Sequence, residues 1–129
     1  MAVDTVIHLD DSRELRELVR RALLKIDPQI RYQGTDGASE AIAWMTAAEP
    51  SRLVVLLDLD MPELDGFEVL RLLGDQNLLP RCKVVMFSSS TGEADQERCL
   101  ALGASRYCVK PLAWDALVAE LRRVLAGNA

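Results

Sequence analysis

The chain has no run of basic residues, no apolar stretch of membrane length and no closely paired cysteines. With a net charge of −5 and no Lys/Arg-rich segment, it offers no surface for nucleic acid held through phosphate neutralisation. A helical membrane span needs about 18 to 20 consecutive apolar residues, and none occurs; nor is there an N-terminal apolar h-region. The expectation is a soluble, cytoplasmic protein with no membrane partner. Cys82, Cys99 and Cys108 are odd in number and lack the spacing of a zinc site or redox pair, so they are expected to be reduced and structural. Repeats, low-complexity segments and linkers are missing too. At 129 residues, 50% of them hydrophobic, the sequence suits a single domain over 1–129, with 126–129 as a frayed tail.

What the chain does have is alternation. Strand-like apolar runs lie near 3–9, 29–33, 53–58, Lys83–Ser88 and 105–109, and helical periodicity separates them. Leu15, Leu18, Val19, Ala22, Leu23 and Ile26 mark the first helix, which Asp27-Pro28 ends. Ala38, Ala41, Ile42 and Met45 mark the second, stopped by Pro50. Phe67, Leu70 and Leu73 mark a third after Gly66. A weakly amphipathic fourth runs to about Leu102 and ends at Gly103, where a left-handed cap suits glycine. Leu117, Val118, Leu121, Val124 and Leu125 mark the fifth. Arg13, Arg16, Arg20 and Arg21 share the first helix with Glu14 and Glu17 and read as a solvated face. The pattern predicts an α/β fold, a doubly wound parallel sheet of five strands with helices on both faces.

Right-handed crossovers put the C-terminal strand ends along one edge, where ligands bind in open sheets. Asp10, Asp11, Asp58, Ser88 and Lys110 are therefore expected to converge. Unit charges about 4 Å apart interact by roughly 4 kcal/mol near a protein surface, so gathered carboxylates must titrate, separate or take up a cation. An oxygen-only acidic set suits magnesium, which keeps open positions for phosphate oxygens. Asp11-Ser12-Arg13-Glu14 also reads as a helix start, with Asp11 as N-cap and Glu14 closing a capping box. Both readings of Asp11 stay open here. Asp58, leaving an apolar strand, reads either as a loop-entry carboxylate bonded to local amides or as a nucleophile toward phosphorus. Ser88 opens a polar turn or donates to a phosphoryl oxygen, and Lys110 is a surface lysine or a partner for Asp58 and that group.

Asp10-Asp11, Leu57-Asp58-Leu59-Asp60-Met61-Pro62 with Asp65-Gly66, Ser88, and Tyr107-Cys108-Val109-Lys110-Pro111 together resemble the receiver domains of two-component response regulators, the chemotaxis-type single-domain proteins in particular. The resemblance covers essentially the whole chain and implies the flavodoxin-like strand order 2-1-3-4-5. It implies that Asp58 accepts a phosphoryl group from the phosphohistidine of a sensor histidine kinase or phosphotransfer protein. It implies that Asp10, Asp11, Asp58 and the backbone carbonyl of Asp60 hold Mg²⁺, with Mn²⁺ as a substitute. Ser88 and Tyr107 are then the switch pair, and Lys110 the basic partner. Output would pass through the face made by the fourth helix, fifth strand and fifth helix to a downstream protein partner or output domain. Such a protein is a signalling switch and no turnover enzyme. Two positions depart from the family's habit: Asp60 puts an extra carboxylate beside the site, and Ser89 stands where alanine or glycine is usual. Trp44 and Trp114 are candidate partner anchors.

Asp58-Leu59-Asp60 after an apolar strand also resembles the opening motif of haloacid-dehalogenase-type phosphatases. Those should carry their acidic metal pair after the nucleophile, whereas Asp10-Asp11 precedes it. A third reading is a receiver-like interaction module that is never phosphorylated.

Overall fold

The computed structural model describes residues 3–61, 65–79, 82–111 and 113–126. Five strands, β1 (Thr5–Leu9), β2 (Arg31–Thr35), β3 (Leu53–Leu57), β4 (Lys83–Ser88) and β5 (Arg106–Val109), form one sheet in the order β2-β1-β3-β4-β5. Every pairing is parallel. The intervening helices are α1 (Arg13–Ile26), α2 (Ala38–Ala47), α3 (Gly66–Asp75), α4 (Glu93–Ala101) and α5 (Trp114–Leu125), with a one-turn 3-10 helix at Pro50–Arg52. This is the expected doubly wound fold with strand order 2-1-3-4-5.

Successive strand residues face opposite sides of a sheet, and here the alternation feeds two cores. Ile7, Leu9, Val55, Leu57 and Met86 pack with Met45 of α2, Val69, Leu70 and Leu73 of α3, and Cys99 of α4. Val6, Val54, Leu56, Val85 and Phe87 pack with Val19, Ala22 and Leu23 of α1 and with Leu117, Val118, Leu121 and Val124 of α5. All of β3 is buried, as a central strand covered on both faces must be. Trp44 is half-buried against the first core, while Trp114 remains 38% exposed. Cys99 and Cys108 are buried and Cys82 is half-buried, and no disulfide joins any two of them.

Several boundaries differ from the sequence reading; β1 starts at Thr5 and not near residue 3, and two of the differences have a visible local cause. The second strand starts at Arg31 and not at Gln29, because the Asp27 side chain accepts from the Gln29 N–H and the Asp27 carbonyl from Ile30, holding 28–30 in a turn. The N-cap of α1 is Ser12 and not Asp11: its hydroxyl accepts from Leu15 N–H at 3.2 Å. With Ser12 capping, the third helical residue is Leu15, so Glu14 closes no capping box. Gly103 has φ +114° and ends α4 as expected. Pro62 and the tail at 127–129 lie outside the described residues.

Candidate functional site

Freed from capping, Asp11 can serve the site. β1 delivers Asp10 and Asp11, and β3 delivers Asp58; one carboxylate oxygen from each lies within 4.8 Å of the others. Asp10 and Asp58 are buried, and Asp11 is exposed at the mouth. β5 delivers Lys110, whose Nζ sits 2.9 Å from Asp10 Oδ2 and 3.3 Å from Asp58 Oδ1. The Lys110 backbone N–H donates to the Ser88 carbonyl at 2.7 Å, which fixes the ends of β4 and β5 side by side. Four separate stretches of sequence thus supply the edge that topology assigned to them.

Burial pushes the Asp58 carboxyl up to about 6, helped by the charge of Asp10 and opposed by Lys110. Asp10 goes the other way: burial works against its charge, yet His8, the Ser12 N–H and Lys110 hold its carboxyl below the ordinary value. Burial likewise opposes the Lys110 charge, but Asp10 and Asp58 raise its pKa. One ammonium is set against three carboxylates, so the cluster keeps an excess of negative charge and presents oxygen donors only. That donor set fits a hard divalent cation such as Mg²⁺. The Asp60 carboxylate is exposed and stands outside the cluster, while the Asp60 N–H reaches Asp58 Oδ1 at 3.3 Å.

The loop after β3 turns back onto Asp58. Asp65 caps α3 by accepting from Glu68 N–H at 2.9 Å, and Gly66 N–H donates to the Leu59 carbonyl at 2.8 Å. A Cβ on Gly66 would stand 2.7 Å from the Asp58 carbonyl oxygen and 2.7 Å from Leu59 Cα. Only glycine lets the helix start this close to the candidate nucleophile's backbone.

Ser88 is fully buried, and its Oγ accepts from Ser90 N–H at 3.2 Å. Ser90 Oγ donates to Asp95 on α4 at 2.7 Å, and the Tyr107 hydroxyl donates to the Ser90 carbonyl at 2.9 Å. Ser88 and Tyr107, singled out separately in the sequence, therefore meet through Ser90. The half-buried Tyr107 packs against the α3–α4 core.

Three residues near the site escaped sequence reasoning. Arg16 is no merely solvated arginine: its Nη1 donates to the Asp10 carbonyl at 2.6 Å. His8 is fully buried directly behind Asp10, and its Nδ1 lies 2.8 Å from the Tyr32 hydroxyl. The signal for His8 was a lone imidazole inside an otherwise apolar run; nothing in the sequence linked it to Tyr32.

A family model, the response regulator receiver domain, matches residues 6–122. The transcriptional regulatory protein GltR of Pseudomonas aeruginosa is 29% identical over 123 residues, covering 94% of this chain and 48% of GltR, so the chain spans about half the length of that relative. Chemotaxis protein CheY4 of Vibrio cholerae superposes with a TM-score of 0.79 at 27% identity, covering 96% of this chain and 100% of CheY4. The phosphorylated cyanobacterial phytochrome response regulator RcpA gives a TM-score of 0.82 at 25% identity, covering 99% and 97%. The haloacid-dehalogenase-type reading finds no support among these matches. With the family match spanning nearly every described element and its acidic pocket assembled at the sheet edge, the chain belongs to the response regulator receiver domain family, the phosphorylation-dependent switch of two-component signalling.

Proposed function

We propose that Asp58 is the phosphoacceptor, and that residues 1–129 act as one receiver domain that signals through a partner and turns over no substrate of its own. The observation that carries this reading is the position of the Asp58 carboxylate, buried at the sheet edge within 4.8 Å of Asp10 and Asp11 oxygens and 3.3 Å from Lys110. An Asp58 oxygen attacks phosphorus, the bond from phosphorus to the donor histidine nitrogen breaks with its electron pair leaving on that nitrogen, and an acyl phosphate remains. Asp10, Asp11, Asp58 and the Asp60 carbonyl would hold Mg²⁺, or Mn²⁺ in its place, and the bound ion offsets the charge of the carboxylates and of the incoming group. Lys110, already between Asp10 and Asp58, pairs with a phosphoryl oxygen. Ser88 leaves Ser90 to donate to another, which loosens the Ser90–Tyr107 contact and shifts the packing of α4, β5 and α5.

The phosphoryl donor is a sensor histidine kinase or phosphotransfer protein, and the receiving surface is the α4–β5–α5 face, read by a downstream protein or an output domain. RcpA, solved phosphorylated, is similar over nearly its whole length, which supports the same chemistry here. The test is labelling from acetyl phosphate with Mg²⁺. Wild type should take up one phosphoryl group per chain and Asp58→Ala none. Equal labelling of the two places the acceptor elsewhere, an unlabelled wild type favours the interaction module, and sustained release of phosphate from a generic ester would favour an enzyme.

A further inference from the structure

The fully buried His8 is the sole histidine of the chain. Its ring packs in T-shaped contact with Tyr32 and Phe87, with centroids 5.9 and 6.3 Å away. Its Nε2 points at Asp10 Oδ2 across 3.6 Å, and among the described residues neither atom has a hydrogen-bond partner. Lys110 is 2.9 Å from the same oxygen, as an ion pair whose geometry is not that of a hydrogen bond. Two buried polar atoms aimed at each other across a gap slightly too wide to bond call for an explanation, the more so for Nε2, which has no charged partner such as Lys110 gives Oδ2.

The hydrogen-bond chain behind the ring decides which nitrogen carries the proton. The Tyr32 hydroxyl has one hydrogen and two acceptors in reach, His8 Nδ1 at 2.8 Å and the Arg16 carbonyl at 3.1 Å. If it goes to Arg16, the ring must donate from Nδ1, and the bare Nε2 lone pair faces the Asp10 carboxylate. If it goes to His8, Nε2 carries the hydrogen and faces the carboxylate as a donor. Next to a buried anion the second arrangement is favoured. Gly34 makes it possible: β1–β2 pairing sets it opposite His8, and a Cβ there would lie 2.6 Å from the Tyr32 hydroxyl and push it off.

We propose that His8 is a positioning residue for Asp10: Tyr32 holds it as the Nε2–H tautomer, and it takes over Asp10 Oδ2 as Lys110 turns to the phosphoryl group on Asp58. The proposal rests on the phosphoacceptor reading above. Without a second donor, Asp10 would lose its partner when Lys110 moves, or Lys110 would be held back. A carboxylate fixed from behind keeps its orientation through the cycle, as outer partners of metal ligands commonly ensure.

A single histidine gives one pair of ring nitrogen resonances in ¹⁵N NMR of the whole chain. Without metal, Nε2 should be protonated and Nδ1 bare; on adding Mg²⁺ and acetyl phosphate the Nε2–H signal should move downfield as the 3.6 Å gap closes. Gly34→Ala, remote from the acidic cluster, should release the tautomer. With acetyl phosphate present, so that Asp58 carries its phosphoryl group, His8→Leu and His8→Asn should bind Mg²⁺ about tenfold more weakly in a titration followed by labelling at Asp58, while His8→Gln, whose amide can reach where Nε2 stood, should recover most of the loss. An Nδ1–H ring in wild type, or equal Mg²⁺ binding by the Leu and Gln variants, overturns the role of His8. If the variants fail to fold, the wild-type spectrum and Gly34→Ala still decide. A wild type that takes no label at Asp58 overturns the underlying reading instead, an outcome the metal-free tautomer does not depend on.

Discussion

On one face of the sheet α5 buries Leu117, Val118, Leu121 and Val124, whereas on the other α4 buries Cys99 alone. Each buried aliphatic side chain is worth about 1.5–3 kcal/mol, so α5 is anchored several times more firmly than α4. The same contrast divides the site. Asp10, Asp58 and Lys110 stand at the ends of strands flanked by that firm packing and are joined by charge. Ser88 is tied to α4 and Tyr107 through Ser90, by single hydrogen bonds worth about 1 kcal/mol each. Charges that must be held against repulsion sit on the rigid side, and the part proposed to respond to phosphorylation sits on the loose side. A modest new pull on Ser88 can therefore repack α4 without moving the acidic pocket.

Gly66→Ala attacks the rigid side most directly. The new Cβ meets backbone atoms at 2.7 Å, which no rotamer change relieves. A loss of about 3 kcal/mol in denaturant unfolding is expected, together with slower labelling of a displaced Asp58. A cost under about 1 kcal/mol would mean that this side yields, and the contrast would fail.

Next in size is a pH effect confined to the rigid side. Asp58 has a folded pKa of about 6 against an ordinary 3.8, so its contribution to stability is complete below the lower value and disappears as pH rises through the upper one. Roughly 2 kcal/mol of it is lost between pH 4.5 and 7. Asp10, held low, has the opposite sign and acts at lower pH. Asp58→Asn should flatten the stability profile in that window and be more stable than wild type at pH 7 without metal. Parallel profiles for the two proteins would show that repulsion is not stored at Asp58.

These expectations depend on features of unequal visibility in the sequence. β3 and β4 were legible because a strand buried on both faces must be apolar throughout, and that made Asp58 and Ser88 legible as its exits. β2 was misplaced by two residues since Arg31-Tyr32-Gln33-Gly34-Thr35, at the sheet edge, carries little apolar signal. Asp11 and Ser12 are both good N-caps, and only backbone geometry chooses between them. The His8–Tyr32 contact depends on parallel register between strands 24 residues apart, and the Gly66 approach on a loop folding back over Asp58; neither has a local pattern.

The smallest expected effect bears on the loose side, and it decides what kind of switch this is. Ser90→Ala removes the bond to Asp95 and the side-chain acceptor facing Gly92 at the start of α4, where no side chain caps the helix. A loss of about 1 kcal/mol is expected. It should appear in amide exchange of α4, faster than in α5 before the change and faster still after it, while α5 and β3 keep their protection. If α4 and α5 exchanged at one common rate in wild type, the domain would open as a unit, and Ser88 could not move its surroundings independently of the acidic pocket. Unequal rates, with only α4 responding to Ser90→Ala, mean that phosphorylation has a separately movable helix to act on.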